Sequence, residues 1–190
     1  MNRRKFITST IAVTASLGLG STMFSALSEP AFKKSKTALA VDHQWRKFLP
    51  KEYSGSLVLT PLELSEQEWQ QRLSSAAFRV LREEQTERPG SSILNEQHGK
   101  GIYACEGCDL PLFTSAMKFE SGTGWPSFTT HIPGHLATKK DYKMIWPRTE
   151  YHCIRCGGHQ GHVFNDGPKP TGQRWCNNGV ALKFIAMNPS

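Results

Sequence analysis

Cysteine is scarce in this 190-residue chain and unevenly spread: none occurs before position 105, and five occur in all. Its absence from residues 1–40 excludes a lipidated N-terminal anchor there. A long unbroken apolar run is missing too. Residues 7–27 are mildly apolar but diluted by Ser, Thr and Gly; their length just reaches the about 20 residues that span a bilayer, yet their composition makes a poor anchor. Internal repeats and low-complexity tracts are lacking beyond this leader. With 38% hydrophobic and 21% charged residues, the chain suits one globular domain plus a tail. The domain also has little net charge. Residues 1–40 hold six Lys/Arg against Glu29, a net +5 out of the chain's +7, so about +2 remains for the rest. That near-balance speaks against nucleic acid or acidic lipid as a partner.

The N-terminus reads Asn2-Arg3-Arg4-Lys5-Phe6-Ile7, a paired arginine followed by bulky apolar residues, and Ala38-Leu39-Ala40 supplies a small-x-small cleavage pattern. This resembles a bacterial twin-arginine export signal, with a weak membrane anchor as the alternative. The expected division is an export signal over 1–40, a lead-in over 41–60 and a folded domain over 61–187. A periplasmic or otherwise exported destination follows, with no stable membrane insertion after cleavage.

Ser65-Glu66-Gln67-Glu68 is a capping-box pattern that predicts a helix start, and Trp69, Leu73 and Ala76/Ala77 continue at helical spacing. A break near Ser74-Ser75 predicts two short helices. After Gly90 the texture changes: Gly and Pro recur every few residues, between short β-type runs at 101–104, 142–146, 150–154, 162–164, 173–177 and 180–185. The expected class is mainly β, short antiparallel strands in one or two sheets with the helices confined to the start.

Four of the cysteines form two knuckles, Cys105-x-x-Cys108 and Cys153-x-x-Cys156, separated by 44 residues. Two such pairs present four thiolates to one tetrahedral ion, the closed arrangement of a structural Zn2+. Two disulfides are the rival, plausible in an oxidising compartment. Zinc is favoured because twin-arginine export moves folded protein, so the metal loads in the reducing cytoplasm. No helical pattern follows either pair, which argues against thioredoxin-type redox chemistry.

Cys176 is left alone in Gln173-Arg174-Trp175-Cys176-Asn177-Asn178. An isolated cysteine is often just a small buried hydrophobe. Strand periodicity, however, puts Arg174, Cys176 and Asn178 on one face. The Arg174 cation would favour the thiolate and lower the Cys176 pKa, and Asn178 could donate to a substrate oxygen. His159 and His162 suit a general acid better than a metal ligand, because four sulfurs already complete a tetrahedron. In Ser121-Gly122-Thr123-Gly124-Trp125-Pro126-Ser127-Phe128, Trp125 is either a rigid platform for an apolar methyl or a core residue beneath a turn.

These motifs, with Phe78-Arg79-Val80-Leu81-Arg82-Glu83-Glu84, Thr86-Glu87-Arg88-Pro89 and Gly158-His159-Gln160-Gly161-His162-Val163-Phe164, resemble the B-type methionine-R-sulfoxide reductases over about residues 60–186. The resemblance implies two antiparallel sheets (β-tent-like) behind a helical segment, with zinc at an edge away from the active site. It also implies Cys176 as the nucleophile on the sulfoxide sulfur, and His159 and His162, supported by Asp166 and Asn178, as proton donors. Trp125 would pack on the substrate methyl and Arg174 support the thiolate. The product would be methionine and a Cys176 sulfenic acid. Many relatives carry a resolving cysteine where Thr123 stands, so an external thiol, thioredoxin-like or other, is expected to regenerate this chain. The expected substrate is methionine-R-sulfoxide in oxidised proteins, and a monomer is expected. The competing reading is a non-catalytic ligand-binding module on the same zinc-braced scaffold.

Overall fold

A computed structural model describes residues 44–143 and 146–187; the leader and its cleavage pattern lie outside the described residues. The lead-in contains a 3-10 turn, Trp45–Phe48, whose Trp45 is buried against His135. Two short helices follow, α1 (Glu66–Arg72) and α2 (Ser75–Leu81). The predicted capping box is present: Ser65 Oγ accepts from the Glu68 amide and the Glu68 carboxylate accepts from the Ser65 amide. Ser74 caps α2 by accepting from the Ala77 amide, and this second cap separates the helices at the expected break. Ala77, Phe78, Val80 and Leu81 form the buried face of α2, which packs on a 3-10 turn at Gly179–Ala181 and on the strand of the two histidines.

Among the described residues, nine strands make two antiparallel sheets. β1 (Gly101–Cys105) lies between β2 (Pro111–Thr114) and β9 (Leu182–Ala186) in the first. The second runs in the order β3 (Lys118–Phe119), β4 (Ser127–Phe128), β8 (Arg174–Asn177), β7 (His159–Phe164), β6 (Arg148–Cys153), β5 (Leu136–Asp141). Aromatic rings join them. Phe113 of β2 stacks on Phe128 of β4 at 4.0 Å, Tyr103 of β1 meets the same ring edge-on at 5.0 Å, and Tyr151 of β6 meets Phe113 edge-on at 6.3 Å. Each large apolar side chain buried this way contributes about 1.5–3 kcal/mol relative to leaving it exposed.

The mainly β, two-sheet expectation holds, but one strand was misplaced. Of the run expected at 142–146, the described residues Tyr142, Lys143 and Trp146 belong to no strand, and Tyr142 and Trp146 stand 73% and 81% exposed. The strand is the preceding Leu136–Asp141, in register with β6 from Leu136↔Cys153 to Asp141↔Arg148. Aromatic composition marked the wrong side of that boundary, because register with β6 outweighs local propensity.

Candidate active site and four-cysteine centre

The knuckles come from strand ends. Cys105 ends β1, and the chain turns through Asp109 at φ 65° so that the Asp109 amide returns to the Cys105 carbonyl at 2.9 Å. Cys153 ends β6, and Gly157, at φ 67°, donates back to the Cys153 carbonyl at 2.9 Å. Three arginines satisfy carbonyls of these turns: Arg72 Nε donates to Gly107, Arg82 Nη1 to Cys156 and Arg155 Nη1 to Cys108. The helices are thereby tied to the centre.

All four sulfurs are buried and lie within 4.8 Å of one another. Cys105 Sγ is 3.6 Å from Cys156 Sγ, and Cys108 Sγ is 3.5 Å from Cys153 Sγ. A disulfide needs about 2.05 Å, whereas a sulfur tetrahedron at about 2.3 Å from a central ion has edges of about 3.8 Å. The donor set therefore fits a metal ion and not two disulfides. Hydrogen bonding to the other three sulfurs, then burial, pushes the Cys105 thiol up when no cation is present; a divalent ion reverses that preference. Gln160 Nε2 donates to Cys105 Sγ at 3.4 Å, and its Oε1 accepts from Asn177 of β8 at 3.3 Å, so a buried amide pair links the sulfur centre to the strand of Cys176.

Cys176 is half-buried and uncrosslinked. It lies directly opposite His162 across the β7–β8 ladder and opposite Ser127 across β4–β8, positions whose Cβ atoms are about 5 Å apart. A cavity of about 120 Å³ opens over the thiol, lined by Trp125, His162, Phe164, Cys176, Asn178 and Thr86 among others. That is well below the roughly 300–1,000 Å³ of pockets that enclose a drug-sized ligand, so it takes one side chain. Cys176, His162, Trp125 and Asn178 thus converge as expected, with Trp125 at the cavity and not under a turn. Gly124, at φ 85°, sets that loop: a Cβ there would meet the Gly90 amide and Pro89, and the Gly90 amide donates to its carbonyl at 2.7 Å.

Four details differ from expectation. Burial raises the Cys176 pKa by more than Arg174 and the hydrogen-bonding Thr123 hydroxyl lower it, so the thiol is pushed up. Asp166 does not support the histidines: it holds Arg174 through paired 2.9 Å bonds to Nε and Nη2, while that guanidinium lies 4.4 Å over the Phe164 ring. His159 is fully buried behind His162, their rings 5.4 Å apart, and does not line the cavity. Asn178 uses its amide structurally, Nδ2 donating to the Gln160 carbonyl at 2.9 Å and Oδ1 accepting from the Glu87 amide at 3.0 Å.

The supports of the histidines were not anticipated. His159 Nδ1 lies 2.8 Å from Glu150 Oε1, and His162 Nε2 lies 2.8 Å from Asp141 Oδ2. Burial lowers the His162 pKa, against the opposing pull of Asp141. Glu87 was noticed only as part of a motif, yet it ties three pieces together. Besides its amide bond to Asn178, its carbonyl accepts the Trp125 indole N–H at 3.2 Å and its carboxylate accepts from the Gly179 and Val180 amides. The available signal was that buried imidazoles need partners, and carboxylates in otherwise strand-like runs are the natural candidates.

Known proteins resemble this chain in sequence. A family described as SelR domain matches residues 73–186. The peptide methionine sulfoxide reductase MsrB of Methanosarcina barkeri is 48% identical over 124 residues, covering 65% of this chain and 87% of that protein. The protein of the same name from Bradyrhizobium diazoefficiens is 48% identical over 121 residues, 63% and 87% of the two chains. The rat mitochondrial methionine-R-sulfoxide reductase B2 is 43% identical over 146 residues, 72% and 83%. With more than half its length matched by that family, and relatives near half identical along most of their own length, the chain belongs to the SelR domain family.

Proposed function

We propose that the chain reduces the R epimer of methionine sulfoxide, chiefly in proteins, with Cys176 as nucleophile. The observation that carries this is a half-buried, uncrosslinked thiol facing His162 at a cavity sized for one side chain, beside Trp125. The Cys176 thiolate attacks the sulfoxide sulfur while Trp125 packs against the methyl group. The sulfoxide sulfur gains two electrons and leaves as a thioether; Cys176 loses two and keeps the oxygen as a sulfenic acid. His162 protonates the oxygen during transfer, and Asp141 stabilises the charged ring. His159, held by Glu150, acts from behind as a positioning residue. Arg174 favours the thiolate, Asp166 fixes Arg174, and Asn178 shapes the cavity wall.

The Thr123 hydroxyl, and no second thiol, sits against Cys176, while the other four cysteines belong to the metal-binding centre. An external thiol, two equivalents per turnover, would therefore return the sulfenic acid to thiol with release of disulfide and water. Zinc suits the four thiolates, where it would act only as a cross-link. The leader pattern supports twin-arginine export and periplasmic placement. A non-catalytic binding module is not favoured, since such a module has no use for an accessible thiol opposite a histidine.

Single-turnover release of methionine from each purified epimer tests the proposal: one equivalent per Cys176 from the R form is expected. Preference for the S form, or an internal disulfide on Cys176 after the turnover, would overturn it. Zinc content of the purified protein and mass spectrometry of the mature N-terminus check the metal and the leader.

A further inference from the structure

A second, larger hollow of about 490 Å³ adjoins the small cavity, and Thr86 lines both. Ala76, Val80 and Val180 give it an apolar floor, and Arg79 of α2 and Arg88 stand at its walls. Both arginines are exposed, and among the described residues neither guanidinium has a hydrogen bond or ion pair. The contrast with neighbouring arginines is sharp: the side chains of Arg72, Arg82, Arg148, Arg155 and Arg174 all have partners. Glu87 also lines the hollow, but its carboxylate is engaged by the Gly179 and Val180 amides. The hollow thus offers two free cations over an apolar floor.

The size difference separates the roles. A cavity of about 120 Å³ accepts one side chain, whereas about 490 Å³ falls in the range that encloses larger ligands. A polypeptide whose oxidised methionine fills the first has, past Thr86, a contiguous hollow into which its neighbouring residues can run. We propose that the larger hollow seats the residues flanking the oxidised methionine, and that Arg79 and Arg88 select substrates with Asp or Glu in that flank. This rests on the reductase reading above and adds a sequence preference to it.

The test compares kcat/KM for matched R-sulfoxide peptides bearing Asp, Gly or Lys at the three positions on either side of the methionine, with N-acetyl-methionine-R-sulfoxide as the flankless control. Exposed ion pairs give about two- to fivefold each, so the Asp peptide should exceed the Gly peptide by several-fold, the Lys peptide should be poorest, and salt should narrow the gap. In Arg79→Gln/Arg88→Gln the three peptides should converge while activity on the control is unchanged. Arg88→Glu should move the preference toward lysine. Equal rates for the three peptides in wild type, or an acidic preference that survives in the double variant, would overturn the proposal. Failure of wild type on the control as well would instead remove the reductase reading on which it stands.

Discussion

Cys153 and Cys176 sit on strands of one sheet with only β7 between them, yet their sulfurs face opposite chemistry. Cys153 Sγ is fully buried among three other sulfurs, its turn carbonyls held by the Arg82 side chain and the Gly157 amide. Cys176 Sγ opens onto a cavity, with a cation, a hydroxyl and an imidazole around it. The difference lies in what the neighbours can do for a negative sulfur. Four thiolates need a cation shared among them; a single thiolate needs only a fixed guanidinium and a route for substrate. On the proposed reading, one sheet therefore carries a metal cross-link and a reagent built from the same side chain.

Exchanging serine into each site should separate the two roles most strongly. Cys176→Ser should cut turnover at least about a thousandfold while melting temperature and metal content stay at wild-type values. Cys153→Ser should do the reverse first: metal stoichiometry falls and stability drops by at least about 3 kcal/mol, as followed by denaturant melts and metal analysis. A Cys176→Ser protein that lost its metal would break the comparison.

A smaller effect is expected from Arg174→Ala. Burial holds the Cys176 pKa above its ordinary value and the His162 pKa below its own, so the thiolate–imidazolium pair that the proposed reaction uses is a minor form. The kcat/KM profile should be a bell whose acid limb reports His162 and whose alkaline limb reports Cys176. Removing the Arg174 cation raises the thiol pKa further, so the alkaline limb should move up and the plateau fall about tenfold per unit of that move. Glu87→Gln should weaken the hold on the Trp125 loop and the Gly179–Ala181 turn, raising KM several-fold with little change in the alkaline limb.

The smallest expected effect lies at the surface. Glu84 is held down at about 2 by Lys139 and Lys143. A carboxylate with a depressed folded-state pKa contributes stability that is complete above its ordinary range and lost as pH falls through the folded value. Glu84→Gln should therefore cost no more than about 1 kcal/mol at neutral pH, and its melting temperature should converge on wild type as pH falls from 4.5 to about 2.

What could be read from sequence was local. The knuckles and the Arg174–Asn178 segment each show themselves within a few residues, and the Ser65 and Ser74 caps mark both helix starts. The strand Leu136–Asp141 was hidden because it is an edge strand: its Lys139 and Lys140 deter further pairing and erase the apolar signal by which strands are recognised. Asp141 stands 21 residues from His162 in sequence and meets it only through the order of β5, β6 and β7. The raised Cys176 pKa depends on burial depth, which nothing in Arg174-Trp175-Cys176 encodes.

Gly161 pairs with Asn177 between the two strands of the site, and a Cβ there would fall onto the Cys176 carbonyl. That residue lines the cavity yet carries no reacting group and no metal-ligating atom, so a survey of tolerated substitutions would record it as an unexplained null allele. The reason is a missing atom: β7 approaches the backbone of Cys176 as closely as it does only because position 161 has no side chain to keep the strands apart.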